Sequence, residues 1–200
     1  MPLTHLALGD SYTIGEGVPP EGRWPAQLAA MLRGEGKALA EPTLLATTGW
    51  TTDELSAAMD GARFAPAYDL VSLLIGVNNQ YRGRGVDEYR VEFRQLLQRA
   101  IALAGHRAGR VLVLSIPDWG VTPFARDSGR DVARIAAELD AFNAVAREET
   151  LQAGAHWVDI TALSRRHPGL LASDGLHPSA AQYTLWAEAA LPVAQRMLAA

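Results

Sequence analysis

Five short apolar runs constrain the fold of this chain more than any other feature: His5–Leu8, Thr43–Thr47, Asp69–Ile75, Arg110–Ile116 and His156–Ile160. Runs this short and nearly continuous are the pattern of strands buried on both faces of a parallel sheet. Amphipathic stretches lie between them. Val86–Ala104 aligns Tyr89, Phe93, Leu96, Leu97, Ala100 and Ala104 on one stripe, and Asp131–Ala153 does the same with Val132, Ile135, Ala136, Leu139, Phe142 and Ala146. Shorter helices are predicted over Trp24–Leu32 and Thr52–Met59, the second with a threonine cap and with Asp53 and Glu54 in its first turn. A last helix, Ser179–Leu198, contains Pro192, where a kink or break is expected. Pro117–Gly129 reads as an extended loop after the fourth strand. Strand and helix alternate throughout, which predicts an α/β protein with a parallel sheet covered by helices on both faces.

Length and composition narrow the chemistry. Two hundred residues without a linker, repeat or low-complexity tract suit one domain spanning 1–200. A net charge of -4 and a pI near 5.7 provide no basic field for nucleic acid or anionic lipid. No window approaches the roughly 18 consecutive apolar residues of a membrane span. Cysteine is absent, so disulfides, thiolate metal sites and a cysteine nucleophile are excluded. Covalent chemistry must fall to serine, threonine, lysine or a carboxylate. The first apolar run begins almost at Met1, which leaves no room for a secretory leader and makes a cytoplasmic location the expectation. A secreted protein already trimmed of its leader would read the same way.

Ligands of open parallel sheets sit beyond the C-terminal ends of the strands. Gly9-Asp10-Ser11 follows the first strand, a segment with Gly49 follows the second, and Gly76-Val77-Asn78-Asn79 follows the third. Ser173-Asp174-Gly175-Leu176-His177-Pro178 precedes the last helix. Together these supply a hydroxyl, an imidazole, a carboxylate, an amide and a glycine N–H, the set that acyl transfer requires. Ser11 would attack the carbonyl, His177 would take and return its proton, and Asp174 would fix the imidazole tautomer. The oxyanion hole would combine the N–H groups of Ser11 and Gly49 with the Asn78 side-chain amide.

With these residues in place, the chain resembles a GDSL-type esterase of the SGNH hydrolase superfamily, named for a serine, glycine, asparagine and histidine in four blocks. The matching positions are Ser11, Gly49, Asn78 and His177, with Asp174 as the usual triad acid. The blocks occur in family order and span residues 9 to 178. Taken with that order, the resemblance implies a three-layer α/β/α, flavodoxin-like sandwich with a five-stranded parallel sheet, and no cofactor or metal. Its partner would be a small-molecule ester, most simply a short-acyl one. Thioesterase, lysophospholipase and carbohydrate O-acetyl esterase activities use the same triad. Two departures stand out: Asn79 replaces an aspartate common in the third block, and Gln182 stands where a glycine is common after the histidine.

Competing readings exist for several positions. Ser115 also ends a strand but has no adjacent motif, and His167 also precedes a proline but lacks a carboxylate three residues before it. His5, His106 and His156 fall at element ends. Asp10 reads as an acceptor for backbone N–H groups at the nucleophile turn. Trp119 and Phe124 could line an acyl pocket or cover the sheet, and Arg82 could meet an anionic substrate group or sit in a solvated loop. A flavodoxin-like domain binding phosphate or nucleotide is the non-catalytic alternative. Against it, Asp10 and Glu16 put negative charge where a phosphate would lie, and no Gly-x-Gly-x-x-Gly pattern follows the strand.

Overall fold

The computed structural model describes residues 1–199. Five strands, β1 (His5–Gly9), β2 (Thr43–Ala46), β3 (Leu70–Leu74), β4 (Val111–Leu114) and β5 (His156–Val158), form one parallel sheet in the order β2-β1-β3-β4-β5. Every residue of β1, β3 and β4 is buried, while the edge strands β2 and β5 are partly exposed. The continuous apolar runs therefore mark the three central strands, which are covered on both faces.

The described helices are α1 (Ser11–Ile14), α2 (Trp24–Gly34), α3 (Thr52–Gly61), α4 (Val77–Tyr81), α5 (Val86–Leu103), α6 (Pro123–Asp127), α7 (Val132–Gln152), α8 (Thr161–Arg166) and α9 (Ala180–Ala199). One layer pairs α2 with α9, and the other packs α5 against α3 and α7. The stripe on α5 is buried as its spacing predicts, with Tyr89 stacked on Phe142 of α7 at 4.6 Å between ring centroids. At the rim of that contact, Arg90 and Arg94 both pair with the buried carboxylate of Glu149. Among the described residues no helix is long and apolar enough to cross a membrane.

The structure narrows one expectation and corrects another. The helix is not broken at Pro192, which lies inside α9 on its exposed side. The carbonyl that loses its partner there belongs to Glu188, which is also exposed and can turn to water, while Trp186, Ala190 and Ala194 stay buried on either side. Nor is Pro117–Gly129 an extended loop. A 3₁₀ turn at Trp119–Val121 and α6 fold it back, capped by Asp118 Oδ1 on the Gly120 N–H (2.8 Å) and Thr122 Oγ1 on the Ala125 N–H (3.2 Å).

Strands four and five stop short of their apolar runs because side chains take over their hydrogen bonds. Asn143 Oδ1 accepts from the Ile116 N–H (2.7 Å) and its Nδ2 donates to the Ile116 carbonyl (3.0 Å) and to Thr161 Oγ1 (3.0 Å). Ser115 Oγ accepts from the N–H groups of Ile160 (2.8 Å) and Thr161 (3.0 Å). Replacing Asn143 by alanine leaves the buried Ile116 N–H without its acceptor, while the Ile116 carbonyl keeps the Thr161 hydroxyl at 2.7 Å. We expect Asn143→Ala to cost about 1–3 kcal/mol in urea denaturation with an unchanged m-value.

Candidate active site

The end of β1 is crowded. A Cβ on Gly9 would lie 2.5 Å from the Leu74 carbonyl oxygen and 2.3 Å from Thr13 Oγ1, so only glycine fits where the chain turns from β1 into α1. Asp10 caps that helix, its Oδ1 accepting from the Tyr12 N–H at 3.0 Å. Ser11 is therefore the first residue of α1, and its N–H has no acceptor within the helix. Asp10 itself is fully buried, and its Oδ2 has no hydrogen-bond partner. Burial pushes its carboxyl up to about 7 against the opposing pull of backbone N–H groups.

The second carboxylate near the site behaves in the opposite way. Asp174 Oδ1 accepts from the N–H groups of Leu176 and His177, both at 2.9 Å, and Oδ2 meets His177 Nδ1 at 2.6 Å. Both oxygens are thus used within one turn of chain. Partial burial works to raise the Asp174 pKa, but the bonds from His177 and the two backbone N–H groups outweigh it and hold it below the usual aspartate range. An ionised Asp174 calls for a proton on Nδ1 of His177, which leaves Nε2 as the acceptor. The His177 ring meets the edge of Tyr12 at 5.9 Å, and its carbonyl accepts from the Ala172 N–H at 2.7 Å.

Gly49 and Asn78 are tied to each other's loops. Asn78 Nδ2 donates to the Trp50 carbonyl at 2.9 Å, which fixes the amide and leaves its second hydrogen uncommitted by that bond. Arg82 donates to the Gly49 carbonyl at 2.7 Å and pairs with Glu54 at 3.2 Å. Asn79 is buried, accepting from the Thr52 N–H (3.1 Å) and donating to Thr52 Oγ1 (2.5 Å). Glu92 Oε2 lies 3.4 Å from the Asn79 amide nitrogen and accepts from the Thr52 hydroxyl. An aspartate at 79 would face that carboxylate, which accounts physically for the amide here.

A cavity of about 240 Å³ collects these groups, with Ser11, Gly49, Asn78 and His177 on its polar side. Its apolar side is Val77, Tyr81, Trp119, Phe124 and Leu176. Trp119 meets Tyr81 edge-on at 5.4 Å and Phe124 at 6.1 Å. The structure thus brings Ser11, Gly49, Asn78, His177, Trp119 and Phe124 together and sets Asp174 behind the histidine. Arg82 lies outside this lining, its guanidinium turned to Gly49 and Glu54. Sequence reasoning did not single out Thr48, Val77, Tyr81 or Leu176, although three of them sit beside motif residues, where a search of motif neighbours could have found them. A roomier groove of about 410 Å³ near Ser115, Trp157 and Arg165 includes none of the motif residues. Among the described residues no three His, Cys, Asp or Glu side chains gather as a metal ion would require.

Residues 7–185 match the family model described as the GDSL-like Lipase/Acylhydrolase family. The fold is similar to the crystal structure of TesA, with 21% identity, a TM-score of 0.71, and coverage of 98% of this chain and 99% of that one. It is also similar to Axe2, an acetylxylan esterase from Geobacillus stearothermophilus, with 21% identity, a TM-score of 0.75, and coverage of 96% and 94%. A third likeness is to LAE5, a hydrolase from the metagenome of Lake Arreo, Spain, at 21% identity, a TM-score of 0.70, and 98% coverage of each chain. No curated protein sequence matches the chain.

The state of Asp10 has a measurable consequence. Its folded pKa of about 7 lies above the ordinary value of 3.8, so its contribution to stability is full below about pH 4 and is lost as pH rises through 7. Asp10→Asn keeps the Oδ1 acceptor without the titration. Urea denaturation from pH 4.5 to 8 should show the variant gaining on the wild type as pH rises; parallel curves would exclude a buried neutral Asp10.

Proposed function

Because the chain belongs to the GDSL-like lipase/acylhydrolase family, we propose that it is a serine esterase of small, short-acyl carboxylic esters, working through Ser11, His177 and Asp174 and an acyl-enzyme. The observation that carries this reading is the Asp174–His177 bond of 2.6 Å beside a cavity that Ser11, Gly49, Asn78 and His177 share.

In this reading Ser11 Oγ attacks the ester carbonyl while His177 Nε2 takes the hydroxyl proton. The carbonyl oxygen becomes an oxyanion that accepts from the N–H groups of Ser11 and Gly49 and from the Asn78 amide. Collapse of this intermediate breaks the bond to the alcohol, which leaves with the proton held on His177. Water then repeats the sequence on the acyl-enzyme and releases the carboxylic acid and free Ser11. Asp174 stays ionised and stabilises the imidazolium at each transfer. Arg82 supports the Gly49 donor from behind by holding its carbonyl.

Cavity size supports a short acyl chain, since about 240 Å³ is below the usual range for drug-sized ligands of roughly 300–1,000 Å³. Each buried methylene should contribute about 0.8 kcal/mol, close to fourfold in kcat/KM, until the aromatic wall is reached. A carbohydrate O-acetyl ester is the second reading, favoured by the small cavity and by the likeness to an acetylxylan esterase.

A fluorophosphonate probe followed by peptide mass spectrometry should place the adduct on Ser11, and Ser11→Ala should abolish both labelling and turnover. No adduct on Ser11, together with no hydrolysis across an acyl panel, would sink the esterase reading. Asp174→Asn should remain folded yet lose about 100-fold or more in kcat, because the imidazole loses its orienting charge. Wild-type rates in that variant would mean that another residue is the triad acid.

A further inference from the structure

Trp119 is the most deeply buried of the three rings on the cavity, at 2% exposure, while Tyr81 and Phe124 are at 39% and 36%. It is therefore the floor of the apolar side, with the other two rings at the rim. Two separate sets of hydrogen bonds hold it, and the Arg130 guanidinium lies 5.7 Å from its ring centroid. Its backbone is held from α8: Asp118 Oδ2 pairs with Arg165 at 2.8 Å, and the Asp118 N–H donates to Ser164 Oγ at 2.9 Å. Thr122 Oγ1 also donates to the Trp119 carbonyl at 2.7 Å.

The indole is held from α4. Trp119 Nε1 donates to Gln80 Oε1 at 2.9 Å, and Gln80 Nε2 donates to Glu138 Oε2 at 2.8 Å. Arg134 closes the series by pairing with the other oxygen of Glu138 at 2.7 Å. Gln80 is buried and is not part of the cavity lining. Its chemistry suits the position, because one planar amide both accepts from the indole and donates to the carboxylate. Glu138 can only accept while ionised, and the bonds from Gln80 and Arg134 hold its pKa below the ordinary glutamate value. The charged acceptor thus decides which way the amide faces and aims its oxygen at Trp119.

We infer that Gln80 is a positioning residue for substrate selection: by fixing the Trp119 indole as a rigid floor, it sets the longest acyl chain the cavity accepts. The inference rests on the esterase reading above and adds the residue that determines its substrate size. Because α4 also carries Asn78, one short helix would position both an oxyanion donor and the acyl limit.

The test is an acyl panel from acetyl to dodecanoyl esters of one alcohol, read as kcat/KM. Gln80→Met leaves the indole N–H without its acceptor and Glu138 with Arg134 alone, and Trp119→Phe keeps a ring but removes the N–H. Each variant should raise the octanoyl-to-acetyl ratio by about 4- to 15-fold, the effect of admitting one or two further methylenes at ~0.8 kcal/mol each. The double variant should shift no further than the larger single one, because both substitutions break the same bond. An equal loss on every ester, an unmoved ratio, or additive shifts would overturn the inference. So would a panel in which varying the alcohol, not the acyl group, reveals the change. Trp119→Phe carries the test alone if Gln80→Met does not fold. A wild type that hydrolyses no ester and takes no probe at Ser11 identifies failure of the esterase reading, whereas an active wild type with an unmoved ratio identifies failure of this inference only.

Discussion

The site depends on the parallel pairing of β1 with both of its neighbours. In that register Gly9 stands level with Ala46 of β2 and Leu74 of β3. The three strands therefore end together, and the next few residues of each chain segment emerge at the same edge. Ser11 follows Gly9 by two residues, Gly49 follows Ala46 by three, and Asn78 follows Leu74 by four. A slip of any one strand would carry its residue away from the others by about 3.3 Å for each position. The missing side chain at Gly9 permits this alignment, because the Leu74 carbonyl occupies the space that a Cβ would need.

Two aspartates near Ser11 show how surroundings set one residue type in two different states. Asp10 is sealed from water and keeps one oxygen unpartnered, so it favours the neutral form close to neutrality. Asp174 is exposed in part and has three hydrogen-bond donors on its two oxygens, so it stays ionised. In its protonated form Asp10 still caps α1 through Oδ1 and adds no negative charge beside Ser11. An ionised Asp174 favours a proton on Nδ1 of His177 and leaves Nε2 facing away from it as the acceptor. Environments that push two carboxyls apart in this way assign them different tasks.

The motif blocks were legible because each chemical group is local to a few residues. Asp174 reaches His177 within one turn, and nothing distant is required for that contact. The strand runs were legible because burial on both faces demands continuous apolar sequence. Other features were not legible, since they depend on partners remote in the chain. Asn79 departs from the common aspartate on account of Thr52 and Glu92, 27 and 13 residues away. Arg82 could have met substrate as far as spacing shows, but the fold turns it to Gly49 and Glu54. The segment after β4 has no helix or strand period in sequence, and it is folded by caps and by its contact with α8, which no local pattern records.

By itself the sequence determined the alternation of strand and helix, the parallel sheet that follows from it, and the order of four motif blocks along one edge. These are matters of period and short spacing, which local sterics and burial translate directly into structure. Only the tertiary structure decided how the blocks are braced and how much room lies beside Ser11. The Trp119 floor depends on Gln80, 39 residues earlier, and on Arg165, 47 residues from the Asp118 it holds. Such contacts are made by side chains whose positions are set by the packing of whole helices, and the spacing of residues along the chain carries no record of that packing.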